Sequence, residues 1–158
     1  MLSYLKKILM PEDRLENKYS ASANANQAER KIQIATCILF VELANADSRF
    51  SSEELEKIIF IMKKKFSLDE EEVKELIELA QERIRIDDST YEYTTVISRN
   101  FSNPEKYELL KNLWHLVFID KSMDKYEEHM VKKIGMLINV DYRDIISAKL
   151  LVKQELKI

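Results

Sequence analysis

The sequence predicts an all-α fold: one helical domain of about seven helices with an internal pseudo-twofold repeat, preceded by a short N-terminal helix and linker. Three observations carry that reading. The first is a scarcity of turn formers. One Gly and two Pro in 158 residues leave almost nothing for hairpins, phosphate-binding loops or dinucleotide fingerprints. The chain has to turn corners with Asn, Asp and Ser, as short connections between helices do. The second is apolar spacing at the helical period, punctuated by capping signals. The third is a duplicated stretch. Leu43-Ala44-Asn45-Ala46-Asp47-Ser48-Arg49-Phe50-Ser51-Ser52-Glu53-Glu54 is matched by Leu116-Val117-Phe118-Ile119-Asp120-Lys121-Ser122-Met123-Asp124-Lys125-Tyr126-Glu127. In each copy an apolar run ends at an aspartate, and a large apolar residue follows three positions on. A capping residue (Ser51 or Asp124) comes next, with a glutamate three beyond it. Asp47 and Asp120, Ser51 and Asp124, and Glu54 and Glu127 all lie 73 residues apart.

The N-terminal decapeptide MLSYLKKILM sets Leu2, Leu5 and Leu9 on one helical face and Lys6 and Lys7 on the other. It is too short and interrupted for a signal peptide or a membrane span. It is expected to dock on the body of the protein, with a dimer contact or a membrane surface as the alternatives. Residues 11–25, opened by Pro11, lack apolar periodicity and read as a flexible linker. Residues 1–25 are therefore separated from a helical domain over 26–158.

Within the domain, Ala28 to Ala46 is apolar on nearly every side through its middle, as a central buried helix would be. Ser51-x-x-Glu54 forms a capping box, after which Leu55, Ile58, Ile59, Met62 and Phe66 trace one face. Ser67-x-x-Glu70 reads as a second box, opening a helix with Val73, Leu76, Ile77, Ala80 and Ile84 inward and a solvated acidic face over 69–82. Asp87, Asp88 and Ser89 cap a helix carrying Tyr91, Tyr93, Val96, Ile97 and Phe101. Asn103 is expected as an N-cap with Pro104 at the first helical position. The second central helix, Leu109 to Ile119, is apolar almost throughout, with His115 interrupting it. Asp124 caps a helix with Met130, Ile134, Leu137 and Ile138 inward. Asp141 caps the last, which runs to about Leu156 and presents Ile145, Ile146, Ala148, Leu150 and Leu151. Helices over 28–84 and 104–156 thus make two related three-helix units joined by the 89–101 helix.

The paired Ala46-Asp47…Glu54 and Ile119-Asp120…Glu127 motifs, with Leu113-Trp114-His115-Leu116 before the second and Ile146-Ser147-Ala148-Lys149 after it, resemble the tellurite-resistance TerB-like family. The likeness spans about residues 28–152 and is nearest the uncharacterised TerB-related branch with an N-terminal extension. The resemblance implies an all-helical domain of seven or more helices with a pseudo-twofold repeat. A related domain occurs in membrane-associated co-chaperones that carry a J domain, which this chain lacks. Family members usually place Gly after each motif aspartate. Here Ser48 and Lys121 stand there, and a side chain restricts positive φ at those positions.

The candidate site residues are Asp47, Glu54, Asp120 and Glu127. If the two turns lie close together, four carboxylates gather oxygens suited to a hard divalent cation such as Ca²⁺ or Mg²⁺. The competing reading is structural. Glu54 and Glu127 hold the N3 position, where glutamate bonds back to the cap, and Asp47 and Asp120 sit in turns with backbone N–H groups to accept. Neither motif is an EF-hand, because Lys125 and Val131 stand where a loop counted from Asp120 needs Gly and Glu. Glu42 and His115, also 73 apart, form a candidate polar core pair between the central helices.

Net charge is −3 with both signs interspersed. The only dense basic cluster, Lys63-Lys64-Lys65, complements a helix C-terminus, so no nucleic-acid partner is expected. The lone Cys37 lies in an apolar run, reads as a buried structural thiol and fits a reducing, cytoplasmic setting. No nucleophile elbow occurs, and no catalytic residue is assigned. The sequence is read as a non-enzymatic TerB-like interaction or stress-response module with a protein partner, binding a divalent cation through its acidic turns. The alternatives are a small-ligand-binding protein or enzyme using Glu42 and His115, and a membrane-surface adaptor using residues 1–10.

Overall fold

A computed structural model describes residues 20–46, 50–86, 90–120 and 124–158 of the chain. These residues form seven α-helices and, among them, no strand: α1 (Ser20–Ala44), α2 (Ser52–Phe66), α3 (Glu70–Ile86), α4 (Thr90–Asn100), α5 (Asn103–Val117), α6 (Lys125–Leu137) and α7 (Tyr142–Leu156). The all-α expectation is met. The expected N-terminal helix over 1–10, most of the linker, and the Asp87–Ser89 cap lie outside the described residues. The linker reading fails over 20–25, where α1 is already helical. The alternating Ser-Ala-Ser-Ala-Asn-Ala carries enough alanine for helix propensity to outweigh the lack of an apolar face.

The packing runs through two central helices. From Ala35 to Ala44, α1 is buried except at Glu42, and Leu109, Leu110, Leu113, Trp114, Leu116 and Val117 of α5 are buried beside it in the same core. α1 packs against α2 and α3 as α5 packs against α6 and α7, and α2 touches α5 where α1 touches α6. α4 crosses between them, resting on α1 and α6. Inward residues of the other helices follow helical spacing: Ile58 and Met62 on α2, Val73, Leu76, Ile77 and Ala80 on α3, Ile97 on α4, Ile134 on α6, and Ile145 and Ala148 on α7. Tyr93 and Phe101 are core residues as well.

Several local expectations are corrected. Ser67 does not open α3. It ends α2 with φ 55, in the left-handed region, and an N-cap needs extended backbone. The reciprocal box instead joins Asp69 and Glu72: the Asp69 N–H donates to Glu72 Oε1 (3.1 Å) and the Glu72 N–H to Asp69 Oδ1 (2.8 Å). The N-cap of α5 is Ser102, with Pro104 second in the helix. Ser102 has a glutamate three residues on, Glu105, to complete the box, and Asn103 has only Lys106. Asp124 and Asp141 cap α6 and α7 as expected. On α7 the inward stripe is Ile145, Ala148 and Val152, and Leu150 is 58% exposed. Leu150 lies five residues beyond Ile145, well off a stripe built on steps of three and four. The acidic face of α3 is not wholly solvated, since Glu75 is buried next to Leu79 four residues on.

The single glycine has a packing role. A Cβ at Gly135 on α6 would stand 2.5 Å from Ile145 Cδ1 of α7 and 3.3 Å from Leu110 Cδ2 of α5. The absent side chain lets α6 and α7 approach over α5.

Candidate functional site

The two motif turns are entered through matching backbone geometry. After α1, the Asn45 N–H donates to the Val41 carbonyl (3.0 Å) and the Ala46 N–H to the Leu43 carbonyl (3.1 Å). After α5, the Phe118 N–H donates to the Trp114 carbonyl (3.0 Å) and the Ile119 N–H to the Leu116 carbonyl (3.3 Å). Each donor and acceptor of the first pair lies 73 residues before its counterpart. α1 and α5 end at the same register, Ala44 and Val117, and α2 and α6 begin at the same register, Ser52 and Lys125. Asp47 falls just past the first of these turns and lies outside the described residues. Asp120 ends the second turn and is exposed.

The glutamates beyond the turns differ from ordinary cap residues. Glu54 closes a box with Ser51, accepting at Oε1 from the Ser51 N–H (3.1 Å) and hydroxyl (3.0 Å), while Ser51 Oγ accepts from the Glu54 N–H (3.1 Å). In the second copy the Asp124 carboxylate accepts from the Tyr126 N–H at 2.7 Å, one residue before Glu127. Glu54 and Glu127 are nonetheless alike in burial, 6% and 7% exposed. Glu105, which closes the same kind of box at Ser102, keeps 46% of its side chain exposed. Among the described residues, no three His, Cys, Asp or Glu side chains converge in a way that could hold a metal ion.

The segments flanking the second motif meet in space. The buried Trp114 indole N–H donates to the Ile145 carbonyl (3.1 Å). The Lys149 ammonium lies over the Trp114 ring at 5.7 Å, and Tyr107 and Ser147 hydroxyls are 3.0 Å apart. Residues 33–150 match the family described as Tellurite resistance protein TerB. The chain belongs to the TerB family. The matched span covers both motif turns, the Trp114 segment and the Ile146–Lys149 segment. No curated protein and no solved structure matches the chain.

The structure places His115 at the rim of this TerB core, with 19% of its side chain exposed. Its Nε2 is 3.1 Å from Glu155 Oε2 on α7, and the other oxygen of Glu155 pairs with Lys111 Nζ (3.4 Å). Burial and the nearby Lys57 ammonium hold the imidazole below its ordinary pKa, against the opposing pull of Glu155. Glu42 is half-buried on α1. Cys37 is fully buried, its thiol pushed up to about 12 by burial, which makes it a poor nucleophile. No helix among the described residues is long and apolar enough to cross a membrane.

His115 also lines a cleft of about 460 Å³ between α2 and α5 with Lys57, Phe60, Lys64, Glu108 and Asn112. Sequence reading missed this grouping because its two walls are about fifty residues apart in the chain. The legible signal was Phe60, an aromatic set among lysines on the polar side of α2.

Proposed function

We propose that this TerB-family chain is a non-enzymatic interaction module of the cytoplasm. In this reading its two acidic turns, Asp47 with Glu54 and Asp120 with Glu127, bind a divalent cation and so set the shape of the surface offered to a protein partner. The observation that carries the reading is the shared burial of Glu54 and Glu127. An ordinary N3 glutamate works at the surface, as Glu105 does. Holding a carboxylate out of water costs stability; hydrogen bonds such as those from Ser51 to Glu54 offset part of it, and in this reading a cation adds to them. The matching entry into both turns supports a pseudo-twofold relation between the halves, with one acidic motif in each. A donor set made only of carboxylate oxygens fits Ca²⁺ or Mg²⁺ and does not fit a soft metal.

Thermal unfolding of metal-stripped protein with and without Ca²⁺ or Mg²⁺ tests this. Ligand that binds only the folded chain raises Tm by mass action. The rise is expected in the Glu105→Gln variant and expected to vanish in Glu54→Gln and Glu127→Gln. An equal rise in all of them, or none in the parent protein, counts against the reading.

A further inference from the structure

The α2–α5 cleft is separate from the acidic turns and has a chemistry of its own. Lys57, Phe60, Ile61 and Lys64 fall at i, i+3, i+4 and i+7 of α2 and so share one face. On the opposite wall, Glu108, Asn112 and His115 recur at i, i+4 and i+7 of α5. The cleft volume lies in the range of small-molecule sites, about 300–1,000 Å³.

Its charges are unbalanced although the chain is acidic overall. Lys65 is satisfied by Glu105 at 3.3 Å. Lys57 and Lys64 form no ion pair among the described residues. Between them stands Phe60, 59% exposed, with the Lys57 ammonium 5.6 Å from its ring centre. A largely exposed aromatic ring beside two cations that no carboxylate pairs offers a flat apolar platform and a place for negative charge. Asn112 and Glu108 supply hydrogen-bonding edges opposite, and Glu108 disfavours a second negative charge at that end. The His115 Nε2 bonded to Glu155 is fixed in place, so the ring's remaining edge is held in a constant orientation.

We propose that this cleft is a binding site for a small organic anion, a flat aromatic group carrying a phosphate or carboxylate. The ring lies against Phe60 and the anionic group is held by Lys57 and Lys64. The site deepens neither turn motif and stands whether or not those turns hold a cation.

The experiment is titration of the full chain with naphthyl phosphate, followed by intrinsic Trp and ligand fluorescence, alongside inorganic phosphate and naphthol as the separate halves. Naphthyl phosphate is expected to bind saturably and at least about tenfold more tightly than either half, as two linked contacts would allow. The double substitution Lys57→Ala, Lys64→Ala is expected to weaken it about tenfold or more, as loss of two charge-assisted contacts should. Phe60→Ala is expected to weaken naphthyl phosphate and leave inorganic phosphate unchanged. Lys133→Ala, at an exposed lysine of α6 outside the cleft lining, serves as a charge control and is expected to have no effect. All four positions are solvent-accessible, and far-UV circular dichroism confirms folding of each variant. Absence of saturable binding at millimolar ligand, or binding undiminished by the double substitution, overturns the proposal.

Discussion

The indole N–H of Trp114 donates to the carbonyl of Ile145 across 3.1 Å of buried interior. This buried side-chain hydrogen bond links α5 to α7. Trp114→Phe keeps an aromatic ring against Phe118, whose centroid lies 6.0 Å away, but removes the donor and some volume. The expected cost is about 1–3 kcal/mol, read as a lower urea midpoint with unchanged slope.

Gly135→Ala should destabilise the protein even though alanine favours helix by about 1 kcal/mol. The new Cβ meets Ile145 Cδ1 at 2.5 Å in a closed interior, and overpacking of that kind costs about 1–3 kcal/mol. Ile145→Ala removes both Cδ1 and Cγ1, the two atoms that stand in the way at 2.5 and 2.7 Å. The double variant is therefore expected to be more stable than the sum of the single effects allows, which a double-mutant cycle measures.

His115 is held below its ordinary value of 6.5 first by burial and then by Lys57. The folded chain thus binds fewer protons here than the unfolded chain, so stability from this residue is present above 6.5 and is lost as the pH falls toward the lower folded value. Lys57→Met removes a repelling charge and should raise the imidazole pKa. Glu155→Gln removes the attracting one and should lower it. Ring-proton NMR titration reads both, and shifts of the same sign would show that the cleft electrostatics are wrongly assigned.

Glu128 on α6 is held below its ordinary 4.5, chiefly by its hydrogen bond from Lys149 of α7. Depression of a carboxyl stabilises the fold above 4.5, and the benefit disappears as the pH drops through the folded value. Lys149→Met is expected to cost about 1 kcal/mol near neutrality. The gap between variant and parent should close in acid, as chemical denaturation across a pH series would show.

The fold was legible because it is written in local terms. Ser51, Asp124 and Asp141 are capping residues wherever they occur at a helix start, and the 73-residue offset appears in the helix ends themselves. Features that depend on packing were hidden. Ser67 adopts φ 55 because α2 must end there, and no single-residue preference of serine announces it. Leu150 is apolar yet exposed, and Glu75 is charged yet buried; composition points the wrong way for both. The candidate turn site was half legible. The sequence located Glu54 and Glu127, but their burial, which separates them from Glu105, required the assembled core. Of the α2–α5 cleft only Phe60 among its lysines was legible; the opposite wall required two helices remote in sequence to be set side by side.

The most direct test of the account is calorimetric titration of the metal-stripped chain with Ca²⁺ and Mg²⁺, run beside an Asp120→Asn variant. Asp120 is exposed at the end of its turn, so its loss should leave the fold intact. Saturable binding by the parent chain that the variant loses or weakens by tenfold or more, about 1.4 kcal/mol, is the predicted result. No binding by the parent chain, or equal binding by both, contradicts the account and returns the four motif carboxylates to the role of helix caps.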